Sequence, residues 1–276
     1  MDGVPGLSQP WELAPLVVAP AAIAGVCFFR GFVRLRRRGR RDHASWGRAA
    51  LFLAGLAAAV IPLVSPLDAL GDRYLLSAHM LEHVLIGDAA PALLVVSLRG
   101  PLLFFAVPAP VLRALGRPEI RRIAASVLRP RVGLLAWAAA YGGWHIPAAY
   151  DYAARHQGVH DLEHASFVAA GLLVWSLLVD PARHGRLSRG KRLGIVIALF
   201  AMGTAISDVL LFSLHPLYPA YAGQPHRVFG LSPLHDQQLA GLVMTVEQVL
   251  TLGTCAAILL WPELRRRRRR AELAPA

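Results

Sequence analysis

Apolar residues in this chain collect in long stretches separated by short polar segments, most of them rich in arginine. A helix that crosses a hydrocarbon core about 30 Å thick needs about 20 predominantly apolar residues, or fewer where it packs among other helices. Seven stretches fit, running roughly Glu12 to Val33, Gly47 to Val64, Arg73 to Leu98, Val132 to Ile146, Val159 to Val179, Leu193 to Leu214 and Gln237 to Trp261. A further run, Pro101 to Val111, is short and rich in proline and reads as an interfacial or re-entrant segment. The pattern predicts an all-α, polytopic membrane bundle of about seven transmembrane helices. It forms one integral membrane domain over residues 1–276, with a basic tail over 265–276.

Composition agrees, and charge adds direction. Only 17% of the 276 residues are charged and 55% are hydrophobic, against roughly a quarter charged in soluble domains, which excludes an ordinary soluble enzyme. The net charge of +12 comes from 29 Lys+Arg against 17 Asp+Glu, and position decides its meaning. The segments Arg30 to Arg48, Arg99 to Arg131, Arg183 to Arg192 and Arg265 to Arg270 hold 26 of the 29, and Arg73, Arg155 and Arg227 fall in the alternate loops. The positive-inside rule then places the N-terminus outside and the C-terminal tail in the cytoplasm. Basic blocks so placed face anionic lipid head groups rather than nucleic acid. The first run lacks a basic flank before it and has eight arginines after it, the reverse of a secretory signal, so an uncleaved anchor is expected. Cys27 and Cys255 lie far apart in apolar runs and make no disulfide framework.

In this orientation nine of the eleven histidines fall on the outer side. Their spacing carries chemistry. In His79-Met80-Leu81-Glu82-His83 the imidazoles are four apart and share one helix face, and His160-Asp161-Leu162-Glu163-His164 repeats the arrangement on another span. Two such pairs at matching depth, with His145 on a third span, predict a shared metal or haem site. Neutral imidazole suits copper, zinc, nickel or iron, and a thioether such as Met80 favours Cu(I). Glu82 and Glu163 are candidate supporting acceptors or ligands, as are His235 and Asp236 at the start of the last run. Both pairs also fit the His-x-x-Glu-His form of zinc peptidases, which leaves an intramembrane zinc hydrolase as an alternative. Asp88, Asp208 and Glu247 are costly inside spans. They could form a relay, so a copper or proton-coupled transporter is a second alternative. Tyr218 and Tyr221 read as interfacial tyrosines of an outer loop.

At these residues the chain resembles the caa3-type cytochrome c oxidase assembly factors, CtaG-like integral membrane proteins of bacteria. The resemblance rests on His79-Met80 to His83 with Pro91 and Arg99-Gly100-Pro101, on Trp144-His145-Ile146-Pro147 with Tyr150, and on His160 and His164 with Phe167 and Gly171 to Trp175. It continues through Asp180-Pro181, Pro216 to Tyr221, Leu231-Ser232-Pro233-Leu234 and Asp236 to Gly241, reaching from about Leu70 to Trp261. It implies a non-enzymatic protein of the bacterial cell membrane that matures haem-copper oxidase. Such a protein would handle copper through His79, His83, His145, His160 and His164, with oxidase subunits and a copper donor protein as partners. Copper comes from the resemblance; spacing alone leaves zinc or haem open. Two positions depart from the family pattern: Glu82 stands where an amide is expected, and Thr245 follows Met244 where tryptophan is common. The extra carboxylate attracts a cation and hardens the site, which bears on the oxidation state of the metal.

Overall fold

The structure, a computed structural model, describes residues 11–185 and 187–272, and these are helical with no strand among them. α1 (Pro15–Arg37) and α2 (Trp46–Val64) form the first pair, held by the stacked rings of Phe28 and Phe52 with centroids 3.8 Å apart. A short α3 (Pro66–Arg73) leads into α4 (Leu76–Val84), which passes through a π-helical turn, Leu85–Ala89, into α5 (Ala90–Ser97). Three short helices follow, α6 (Pro101–Ala106), α7 (Ala109–Leu115) and α8 (Pro118–Val127), and then α9 (Pro130–Trp144) and α10 (Pro147–Ala153). α11 (Gln157–Val179) and α12 (Arg189–Phe212) are long and regular, and α13 (Pro219–Ala222) lies in the loop after them. α14 (Pro233–Gln248) runs through a second π turn, Val249–Gly253, into α15 (Thr254–Glu272). The expected basic tail continues α15 as far as Glu272, and residues 273–276 lie outside the described residues.

Among the described residues, six helices are long and apolar enough to cross a membrane: α1, α2, Leu76–Ser97, α11, α12 and Pro233–Arg266. The expected fourth span is different. α9 has 15 residues, about 22 Å at 1.5 Å per residue, and it reaches spanning length only together with α8, from which it bends by 62°. Pro130 in the first turn of α9 explains the break, because a proline there starts a helix and cannot continue the one before it. The third span begins at Leu76 rather than Arg73, since α3 is a separate turn capped by the Ser65 side chain. The run Pro101 to Val111 divides between α6 and α7. α6 lies against α1, where Gly31 admits the backbone of Ala106 and the guanidinium groups of Arg34 and Arg38 sit over the Phe105 ring.

Burial identifies the centre of the bundle. In the most apolar 18-residue window of Leu76–Ser97, 67% of residues are buried, against 17% in α1 and 22% in α2. Around this span pack Trp137 and Tyr141 of α9, Phe167, Val174 and Trp175 of α11, Leu199 of α12 and Leu252 of the second π turn. α11 crosses the first π turn closely, because a side chain on Gly171 would collide with the carbonyl oxygen of Gly87 and lie 2.9 Å from Pro91 Cγ. Such glycine contacts let helix backbones approach where lipid supplies no hydrophobic drive. The α1–α2 loop, the α5–α6 turn and the α11–α12 loop gather at one end. There Arg48 Nη1 donates to the Arg99 carbonyl, Gly100 N–H donates to Pro181 O at 2.7 Å, and the Arg183 side chain lies against Gly100. The opposite end holds the start of α4, the start of α11, α3, α10 and α13.

Candidate metal centre

α4 and α11 run in the same direction and in register at this opposite end. His79 faces His160 and His83 faces His164, each pair with ring centroids 5.2 Å apart, while neighbours on one helix are 4.1 Å apart. The four residues each offer one nitrogen, and these nitrogens all lie within 4.8 Å of one another. Around an ion with metal–nitrogen bonds of about 2.0 Å, tetrahedral ligand atoms stand about 3.3 Å apart, so small ring adjustments close the set. Both nitrogens of His79 and His83 and Nε2 of His160 and His164 are buried without a hydrogen-bond partner. Leaving such groups unsatisfied costs about 1–3 kcal/mol each, a cost that a bound cation would remove.

Carboxylates surround the imidazoles in a crossed pattern. Glu82 of α4 reaches His164 Nε2 of α11 at 3.2 Å, and Glu163 of α11 faces His83 Nε2 of α4 at 3.8 Å. Asp72 of α3 bridges the outer pair, 3.4 Å from His79 Nδ1 and 3.6 Å from His160 Nε2. A side chain at Gly71 would come within 3.0 Å of the His79 backbone, so the residue before Asp72 must be small for α3 to lie this close. A cavity of about 30 Å³ opens beside these groups, lined by Asp72, His79, Ala153, Ala154, Gln157, His160 and Tyr221. It has room for one water or ion and none for a porphyrin. One turn before Asp72 on α3, Asp68 is pushed up to about 7, first by burial and then by the charges of Asp72, Glu12 and Asp161.

The site is held by groups from distant parts of the chain. Asp236 of α14 caps the start of α4, accepting from the N–H of Leu76 at 2.7 Å, from the N–H of Ser77 at 3.1 Å and from the Ser77 hydroxyl at 2.5 Å. Gln237 accepts from Leu217 N–H and donates to the carbonyls of Leu210 and His215, fixing the loop after α12. In that loop Tyr221 donates to the Gly71 carbonyl at 2.7 Å and pairs with the Tyr150 hydroxyl at 2.8 Å, and Tyr218 donates to the His145 carbonyl.

Several expected residues sit elsewhere. His145 is outside the four-nitrogen group, its Nδ1 held 2.6 Å from the Tyr141 carbonyl. Met80 is fully buried among Leu76, Tyr150, Leu210 and Met244, so its sulfur faces an apolar cluster. His235 is exposed, and Asp236 is occupied as a cap. Tyr218 and Tyr221, expected at a membrane interface, are buried at 2% and 5% exposure, and their hydroxyls clamp the loop after α12. Asp88 and Glu247 lie beside each other. Asp208 makes no hydrogen bond or ion pair with either among the described residues. Sequence reasoning missed Asp72, whose signal was an acidic residue directly after a glycine and one short turn before the histidine helix.

A model of the cytochrome c oxidase caa3 assembly factor family matches residues 26–266 of this chain. Uncharacterized proteins of Mycobacterium bovis and Mycobacterium tuberculosis are each 29% identical over 245 residues, covering 84% of this chain and 36% of their own length. An uncharacterized protein of Mycobacterium leprae is 35% identical over 94 residues, 33% of this chain and 13% of that protein. The chain thus spans about a third of the length of the first two curated relatives it matches, at 36%. No solved structure matches it.

Proposed function

The chain belongs to the cytochrome c oxidase caa3 assembly factor family, and from that premise we propose that it holds a copper ion as cargo between α4 and α11 and passes it to an oxidase subunit. The observation that supports this reading is the convergence of four imidazoles from two in-register helices, whose facing nitrogens make no hydrogen bond and have only carboxylates beside them. Imidazole suits copper in either oxidation state and zinc as well. With Met80 turned into an apolar cluster, the set has no sulfur, and three carboxylates adjoin it, so it is a harder site than a thioether site. A four-imidazole set also leaves no open position of the kind a catalytic zinc keeps. Each glutamate of the two His-x-x-Glu-His segments engages an imidazole of the other helix rather than a free coordination position. This favours a non-enzymatic role over a zinc hydrolase.

The arginine-bearing end is the cytoplasmic side of the bacterial cell membrane in this reading, and the histidine end faces outward. Asp68, Asp72 and Asp161 at this end concentrate cations near the cavity. A copper donor delivers there, and oxidase subunits accept there. The experiment is metal analysis of the purified full chain after loading with copper and desalting. The wild type retains about one ion per chain, and His79→Ala/His83→Ala retains almost none. Unchanged stoichiometry in the double variant would overturn the site.

A further inference from the structure

A second polar group lies near the middle of the bundle, in the span below the histidines. We propose that Asp88, Glu247, Thr251 and Tyr141 form a separate site that binds one exchangeable proton together with a water molecule. The two carboxyls come from the two π turns or their immediate neighbourhood: Asp88 lies within Leu85–Ala89, and Glu247 precedes Val249–Gly253, which contains Thr251. π turns in helices are rare and frequently mark functional positions.

The two carboxyl groups lie side by side, both within electrostatic reach of the Tyr141 hydroxyl. Two carboxylates this close do not both stay ionised without a compensating charge. No ion pair with Arg, Lys or His is formed by either carboxyl among the described residues. The titratable groups that face Asp88 from neighbouring helices are Glu247, Tyr141 and Cys255, none of them a cation. Arg192, near Cys255, is committed to Asp180 at 3.2 Å. A proton is therefore the charge that balances the pair.

An independent observation points to the water. Tyr141 is 5% exposed, its hydroxyl lies against Gly87 next to Asp88, and that hydroxyl has no hydrogen-bond partner. Glu247 Oε1 is likewise buried without a donor. A water between hydroxyl and carboxyl would satisfy both. A hard metal ion fits less well, because calcium or magnesium takes six or more oxygens. Both Asp88 oxygens are already engaged here, Oδ1 by the Trp175 indole N–H and Oδ2 by the Thr251 hydroxyl at 3.1 Å. The rings of Phe167 and Tyr141, 4.7 Å apart, stand between this site and His83.

The test is infrared spectroscopy of the full chain in lipid nanodiscs at neutral pH, with H₂O exchanged for D₂O. The expected result is a protonated-carboxyl band that shifts in D₂O and disappears in both Asp88→Asn and Glu247→Gln. Tyr141→Phe and Thr251→Val keep both carboxyls and shift the same band by altering its hydrogen bonds. They decide the matter should either carboxyl variant fail to fold. Absence of the band, a band unaffected by all four substitutions, or a band removed by sodium, calcium or magnesium would overturn the proposal. Copper stoichiometry measured alongside keeps this outcome distinct from failure of the histidine site.

Discussion

Two polar sites share one central helix, five residues apart at His83 and Asp88, and their chemistry differs. The histidine cluster is built of nitrogen donors that converge without hydrogen bonds, and carboxylates approach them from α3, α4 and α11. The carboxyl pair is built of oxygen, sits in or beside the π turns, and has an indole and a hydroxyl as donors. The first arrangement suits a cation of several coordination positions, the second a proton with a water molecule. Buried polar groups in a bilayer are costly in both places, but the missing partner in each is set by which atoms are free.

The comparison is most sharply tested by removing one site at a time. His79→Ala/His83→Ala should abolish retained copper while leaving the carboxyl band in place, and Asp88→Asn should do the reverse; parallel metal analysis and infrared spectra check both. A smaller effect at both sites is expected of Gly171→Ala, because its side chain would push α11 from the Gly87 carbonyl beneath the histidines and beside the carboxyls. We expect a loss of about 1–3 kcal/mol in unfolding stability, with weakened copper binding and a shifted band, measured by denaturation in detergent and by the two assays above.

Asp236→Ala should touch the histidine site alone. Removing the cap of α4 leaves two N–H groups and a hydroxyl without their acceptor, a cost of about 1–3 kcal/mol. Copper affinity should fall while the carboxyl band is unchanged. Tyr221→Phe removes the bonds to the Gly71 carbonyl and Tyr150 and should cost about 1 kcal/mol, read as a lower midpoint of thermal unfolding.

The smallest effect concerns rate. Asp68 stands at about 7 because of burial and neighbouring acids, so it is mostly neutral at pH 6 and mostly ionised at pH 8. The histidine end gains negative charge as pH rises, and copper association should quicken by a few-fold. Asp68→Asn should remove that increment. Stopped-flow measurements at both pH values check it, and an identical pH response in the variant would exclude Asp68.

The histidine pairs were legible in the sequence because a four-residue spacing on a helix fixes a shared face whatever the surroundings. The same holds for the long spans, whose length follows from bilayer thickness. What was not legible depends on approach between separate elements. Asp72 reaches the imidazoles only because Gly71 lets α3 lie against α4, and Asp236 faces a helix start 160 residues earlier in the chain. His145 shares depth with the other histidines, yet a backbone carbonyl at the end of its own helix takes its ring nitrogen. The bend between α8 and α9 falls at Pro130, just before the apolar run from Val132, and its angle depends on how α8 packs outside that run.

The account stands on four imidazoles holding one ion. X-ray absorption spectroscopy of the copper-loaded full chain measures that directly. It should show one kind of copper with nitrogen or oxygen ligands only, an outer-shell pattern of several imidazoles, and loss of that pattern in His160→Ala/His164→Ala as well as in the α4 double variant. A sulfur ligand, or a spectrum unchanged by removal of either histidine pair, would contradict it.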